Sequence, residues 1–306
     1  MYFHPKSNTG MFAGVGPALV DYIYKIDYFP NPGGHCIVKT CFKSPGGAAA
    51  NVIYGLAKFG LKCKFFTTLG EDCDSVIWMK DFEKLKIEVK YKVTHKEIGK
   101  AFIYVDKSGE RTFFIIPNSA GVPDIKIRKK DLLNINWIYL DPFPSKDSFK
   151  MHLTIAKKAK KSNCRVILNP GMAYVSLGID KLSKLLNYTD IMILSSAELE
   201  KLDCDKKELS KFVNLLVITL GDKGSLAITN NKEVFVPAFK VKNVVDTTGA
   251  GDAFASGFLY AYTKGYNVKA CLEIGNFTAA YNIKNFGARN FPEKSKIDRR
   301  LKRKQI

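Results

Sequence analysis

The chain has 306 residues, of which 46% are hydrophobic, with 23 Gly and 12 Pro. That is enough apolar material for a sizeable core, and it excludes collagenous or wholly disordered chains. No apolar run reaches membrane-spanning length, and Met1 to Gly10 lack a signal-peptide core, so the expectation is a cytoplasmic protein with no membrane partner. The formal charge is +19, from 48 Lys and Arg against 29 Asp and Glu. Apart from the tail Lys294 to Lys304, the basic residues are spread along the chain. No nucleic-acid module is recognisable, so a solvated basic surface is expected and no specific nucleic-acid partner. The seven Cys form no C-x-x-C pair and the four His are scattered, which argues against a zinc site and a disulfide framework.

In chain order, Phe12 to Val15 begins a strand and Ala18 to Ile26 continues extended. Cys36 to Phe42 is a further short strand. Ala48 to Phe59 reads as a helix stopped by Gly60. Lys64 to Thr68 is a strand and Ser75 to Leu85 an amphipathic helix. Then the pattern changes. Glu88 to Thr94, Ala101 to Asp106 and Thr112 to Ile116 alternate apolar and polar residues, with a hairpin turn at Lys107 to Glu110. These pieces predict a small, partly solvated sheet. From Trp137 onward strands and helices alternate. Ile191 to Leu194 and Leu216 to Thr219 are continuous apolar runs, as buried parallel strands require. Ser225 to Thr229 and Glu233 to Pro237 form a hairpin around Asn230-Asn231. Two helices follow, Asp252 to Lys264 and Asn267 to Asn285. The fold class expected is α/β: a doubly wound, mainly parallel sheet flanked by helices, carrying a small β-sheet lid. Residues 11–33, 46–86 and 123–306 are assigned to the catalytic and nucleotide-binding domain, and residues 34–45 and 87–122 to the lid.

The strongest local signal is Asp246-Thr247-Thr248-Gly249-Ala250-Gly251-Asp252. It follows a β-like stretch and opens a helix. Two glycines permit a tight turn, and amides at a helix N-terminus favour an anion. A carboxylate beside that pocket is placed to accept a hydroxyl proton, although a lone Asp there could equally be a helix cap. No G-x-x-x-x-G-K-[ST] occurs, so this is not a P-loop.

The whole heptapeptide resembles the second signature of the ribokinase (phosphofructokinase-B) family. Gly46-Gly47-Ala48-Ala49-Ala50-Asn51 resembles its first, and the motifs occur in the family's order from about Phe12 to about Pro292. The resemblance implies ATP-dependent phosphorylation of a hydroxyl on a small sugar-containing acceptor. Asp252 then matches the catalytic base, and the amides of Gly249, Ala250 and Gly251 match the anion hole. Asp21, Gly46, Gly47 and Asn51 match the acceptor site, with Asp141 a further carboxylate near the sugar. Thr219-Leu220-Gly221-Asp222-Lys223-Gly224 resembles the strand–turn along ATP, so Thr219, Gly221 and Gly224 join Asn276 and Thr248 on the nucleotide side. Glu198 matches a residue that organises Mg²⁺ through water, but Ser195 stands where the family has Asn. Asp246 is a candidate for a monovalent cation such as K⁺. Leu19, two residues before Asp21, stands where ribokinase proper carries a polar residue, which suits a nucleoside base or a less hydroxylated acceptor; the acceptor expected is a nucleoside or ribose-like molecule. Fructokinase, ketodeoxygluconate kinase and sugar-phosphate kinase activities are the alternatives, the last with Arg111 and Lys100 as candidate phosphate ligands. A non-catalytic binding protein on the same fold is the rival from another class. A homodimer joined through the lid would cover the lid's exposed edges.

Overall fold

The computed structural model describes residues 10–302. The signal-peptide reading falls almost wholly on residues 1–9, and the end of the basic tail on 303–304; both lie outside the described residues. The strands are β1 (Met11–Val15), β2 (Leu19–Lys25), β3 (Thr40–Gly46), β4 (Cys63–Gly70), β5 (Glu88–Thr94), β6 (Gly99–Val105) and β7 (Arg111–Ile116). They continue as β8 (Ile135–Leu140), β9 (Arg165–Leu168), β10 (Ile191–Ser195), β11 (Leu215–Thr219), β12 (Gly224–Thr229) and β13 (Lys232–Pro237). Nine form one sheet in the order β13-β12-β11-β10-β9-β8-β1-β4-β5, and four form a second in the order β3-β2-β6-β7.

In the large sheet β11 through β5 run parallel, and β12 and β13 close one edge antiparallel. Helices cover both faces. One face packs against the helices Ala48–Lys58, Ala250–Thr263 and Val268–Asn282 through Ile53, Leu56, Phe258 and Leu272. The other packs against Ser148–Lys161 and Ile179–Leu186 through Ile155, Leu182 and Leu185. This is the doubly wound α/β arrangement with a separate small sheet that the sequence predicts.

The chain leaves β1 for β4 and β5 on one side and returns to β8, β9, β10 and β11 on the other. The order therefore reverses between β1 and β8, where open α/β sheets form a crevice at the strands' carboxyl ends. Gly16 and Asp141 stand at those two ends, and the Asp141 amide donates to the Val15 carbonyl at 3.0 Å.

The strand pairing differs from expectation in three places. Glu88 to Thr94 is not in the small sheet; as β5 it pairs in parallel with β4 at the edge of the large one. A half-exposed edge strand alternates just as a lid strand does, so periodicity alone could not name its partner. Leu19–Lys25, expected in the main domain, pairs with β3 and β6 in the small sheet. Pro17, which lacks an amide donor, lies in the break between it and β1. The strand expected at Cys36 to Phe42 runs instead over Thr40–Gly46. These pairings place residues 19–46 and 99–116 around the small sheet.

Candidate active site

The turn before the Ala250–Thr263 helix is held by its own residues. Asp246 accepts from the Thr248 amide at 2.8 Å and, through its other oxygen, from the Gly287 amide at 2.9 Å. It thereby ties the turn to the segment that follows the Val268–Asn282 helix. Gly249 has φ +71°, and a Cβ there would lie 2.4 Å from that of Ala288, so both conformation and space require glycine. Gly251 is exposed with open space above it, at a helix end whose first N–H groups have no intrahelical acceptor. The Ala250 amide is turned back onto the Thr247 carbonyl at 3.2 Å. The Thr248 hydroxyl is buried without a hydrogen-bond partner.

The end expected to take the acceptor is built on the first glycine pair. A Cβ on Gly46 would lie 2.3 Å from an Asp21 carboxylate oxygen, and one on Gly47 would lie 2.2 Å from the Pro17 carbonyl oxygen. The pair therefore lets the start of the Ala48–Lys58 helix approach both β2 and the turn before it. Asn51, one turn in, donates from Nδ2 to Asp252 at 2.9 Å. That bond joins the two signature motifs across the molecule. Asp141 at the end of β8 is buried and accepts from the Ala49 amide at 3.5 Å.

Asp252 thus lies within charge range of both Asp21 and Asp141, and Asp246 within that of Asp21. Burial pushes the Asp252 carboxyl up to about 6, while the Asn51 hydrogen bond and the cations Arg111 and Arg289 act to lower it. Burial likewise raises Asp21 to about 7, with Arg289 opposing it and the charges of Asp252 and Asp246 reinforcing it. Asp141 is raised well above the carboxylate range by burial and by the neighbouring Asp252. A carboxylate with a pKa near neutrality is suited to accepting a proton.

The nucleotide-side residues meet different fates. Thr219 ends β11, and Gly221 and Gly224 form the turn into β12, closed by the Leu220 amide donating to the Gly224 carbonyl at 2.8 Å. Asn276 donates both amide protons to backbone, to the Val236 carbonyl at 3.0 Å and the Pro237 carbonyl at 3.1 Å. It fastens its helix to β13, and its donors are already taken. Glu198 accepts from the Ser195 amide at 2.6 Å, while the Ser195 hydroxyl accepts from the Glu198 amide at 3.2 Å. This is a capping box, and Ser-x-x-Glu at 195–198 is its sequence signature, which a metal-centred reading of Glu198 passes over. Glu198 still contributes negative charge felt at Asp252 and Asp141.

Of the two lid cations, Lys100 pairs with Glu97 at 2.8 Å. Arg111 turns inward instead: its Nη1 is buried without a partner, and its charge interacts with Asp246 and Asp252. Arg289 went unnoticed in the sequence. Its side chain is 7% exposed, it donates from Nε to Asn51 Oδ1 at 3.0 Å, and it pairs with Asp81 at 2.5 Å. Only its place just after Gly287-Ala288 could have drawn attention to it.

An anion fits this site. The unpartnered Arg111 Nη1 and Thr248 Oγ1 and the open helix end above Gly251 are donors awaiting acceptors. Among the described residues no group of three or more His, Cys, Asp or Glu could hold a metal ion by itself. A divalent ion would therefore be shared with phosphate oxygens and water, as Mg²⁺ commonly is.

A family model for pfkB family carbohydrate kinases matches residues 13–295. A nucleoside kinase of Methanocaldococcus jannaschii is 29% identical over 302 residues, spanning 95% of this chain and 97% of that protein. The crystal structure of M. jannaschii nucleoside kinase superposes with a TM-score of 0.82 over 96% of this chain and 98% of that one. A deoxyribokinase of Salmonella typhi is 28% identical, spanning 91% and 94% of the two chains. The ribokinase structure from Thermotoga maritima gives a TM-score of 0.80 at 30% identity, over 96% and 99%. With the family pattern spanning nearly the whole chain, and both of its signatures meeting at Asp252, the chain belongs to the pfkB family of carbohydrate kinases.

Proposed function

We propose that this kinase transfers the γ-phosphoryl group of ATP to a primary hydroxyl of a ribose-bearing acceptor, a nucleoside first, with Asp252 as general base. The observation that carries the reading is the meeting of Asp252 with Asn51 at 2.9 Å, which puts the base between the anion-binding helix end and the acceptor glycines. Asp21 accepts hydrogen bonds from sugar hydroxyls. Asp252 takes the proton of the attacking hydroxyl as the new O–P bond forms. The amides of Gly249 and Gly251 and the Arg111 guanidinium face the charge that develops, and the lid excludes water. A divalent ion, when bound, would screen the phosphate charge, with Glu198 reaching it through water.

The nucleoside preference draws support from the M. jannaschii relative and from the lid. Ile23 lies two residues from Asp21 on β2, hence on the same face, and it packs with Ala101, Ile103 and Val105. This buried apolar cluster beside the proposed hydroxyl-binding carboxylate makes that side of the small sheet apolar, which suits a base joined to a ribose. The free Nη1 of Arg111 favours a second reading, a phosphorylated sugar as acceptor.

We also propose a homodimer through the lid. Its outer face carries a run of packed aromatic rings, with centroid distances of 5.2 Å for Tyr22–Phe102 and 5.1 Å for Tyr24–Tyr104. Phe114 on the edge strand β7 is 59% exposed.

The test is acceptor-dependent ADP release with ATP and Mg²⁺ against nucleosides, ribose, fructose, ketodeoxygluconate and sugar phosphates. Turnover highest with a nucleoside is expected; turnover with a sugar phosphate alone would move the assignment to the second reading. Asp252→Asn should lower kcat by about 100- to 10,000-fold while ATP still binds. Near-normal turnover in that variant would remove Asp252 from its role.

A further inference from the structure

We propose that Arg289 is a positioning residue for this reaction, acting through Asn51 on Asp252, with Asp81 as its fixed anchor. The inference rests on Asp252 as the base. Four elements meet along one line of hydrogen bonds. Asp81, in the Cys73–Glu83 helix, holds Arg289 Nη1 at 2.5 Å. Arg289 Nε donates to Asn51 Oδ1 at 3.0 Å, and Asn51 Nδ2 donates to Asp252 at 2.9 Å. Guanidinium has only donors and an ionised carboxylate only acceptors, so the amide between them has a single satisfying orientation. Arg289 therefore decides which end of Asn51 faces the base. A donor fixed in that place favours the ionised carboxylate, the form that can take a proton, and holds it at one angle to the acceptor.

Arg289 is itself held against rotation. Its guanidinium carbon lies 4.9 Å from the ring centroid of Tyr54 and 5.1 Å from that of Phe82, with Trp78 at 6.0 Å. Burying a charge so far from water is costly, and an apolar side chain would fill such an aromatic box at least as stably. Its Nη2 is also buried and unpartnered, a further cost that packing does not explain. What an apolar residue cannot supply is the donor to Asn51.

The test is kcat as a function of pH for Arg289→Met, Arg289→Lys, Asp81→Asn and Asp252→Asn, each checked by circular dichroism and thermal melting. Asp252 is faced by Arg289, by Arg111 from the lid, by Glu198, and by Asp21 and Asp141. Removing one of its two cations should raise its pKa, so the acidic limb should move to higher pH. For Arg289→Met we expect kcat to fall at least about tenfold, with KM for ATP within about twofold. Asp81→Asn keeps the guanidinium charge but frees its fork, so it should lose kcat with little movement of the limb. Arg289→Lys keeps the charge but loses the fork, so it should lose kcat with little movement of the limb. A folded Arg289→Met with the parent's kcat and an unmoved limb would overturn the proposal, and so would a uniform loss at all pH values. If Arg289→Met does not fold, Asp81→Asn and Arg289→Lys decide: the parent's kcat in both would overturn the proposal. An active Asp252→Asn would instead overturn the base assignment, so the two failures are distinguishable.

Discussion

Asp21 and Asp252 lie within charge range of each other and of further acidic side chains, and this crowding has consequences at the scale of single residues. As the proposed base, Asp252 has to be ionised to accept a proton, and since burial raises it to about 6, kcat/KM should decline as the pH falls through about 6. A limb near pH 4, where an unperturbed carboxyl titrates, would mean that burial does not govern it. Asp21, raised to about 7, carries the opposite message for stability. Its folded-state pKa lies above the unfolded one, so the native state binds the extra proton. Stability from this group is present below pH 4 and is lost as the pH rises through 7. Asp21→Asn should therefore stabilise the protein at pH 8 by about 1–2 kcal/mol, an advantage that vanishes below pH 4, while acceptor binding weakens. Thermal melts across pH check the first part. A melting difference that did not depend on pH would show that Asp21 is not strained by its charge.

At the scale of elements, the segment that follows the Val268–Asn282 helix organises the site. Gly287 donates to Asp246, Ala288 leaves room only for a glycine at position 249, and Arg289 reaches Asn51. Gly249→Ala would need a left-handed residue and would place its methyl against Ala288. We expect a loss of stability of about 1–3 kcal/mol and a larger loss of kcat than of ATP affinity. Equilibrium unfolding together with steady-state kinetics would measure both. The helix entries show how much of this scale was legible. Gly46-Gly47 and Gly249 were visible because only glycine tolerates such backbone angles and approaches, and that restriction is written in residue type. The tasks of Asn276 and Glu198 were not, since an amide or carboxylate is equally suited to a ligand and to a neighbouring backbone group. Only the structure showed that Asn276 donates to the β13 carbonyls and that one Glu198 oxygen accepts from the Ser195 amide.

Across the whole molecule, the small sheet rests on the segment that follows the Val268–Asn282 helix. Phe42 on β3 stacks on Phe286 with centroids 5.1 Å apart, and Lys25 on β2 lies 3.8 Å above the same ring. On the opposite face of the small sheet the aromatic run is half-buried, and Phe114 beside it is exposed. If a second copy covers it, the protein should sediment at twice its chain mass of 34.2 kDa, and Phe114→Asp should reduce it to a single chain. An unchanged monomer in both cases would remove the dimer. The sequence by itself determined the family and the α/β class, and it singled out Asp252 for the proposed base, because glycine spacing, apolar runs and helix-end chemistry are local and survive without knowledge of neighbours. It also brought Asp21, Asn51 and Asp141 to attention. Only the tertiary structure decided that β5 belongs to the large sheet and β2 to the small one, since alternation reports exposure and not partner. It alone revealed Arg289, whose role depends on three groups far away in the chain, and long-range hydrogen bonds leave no periodic trace in a sequence.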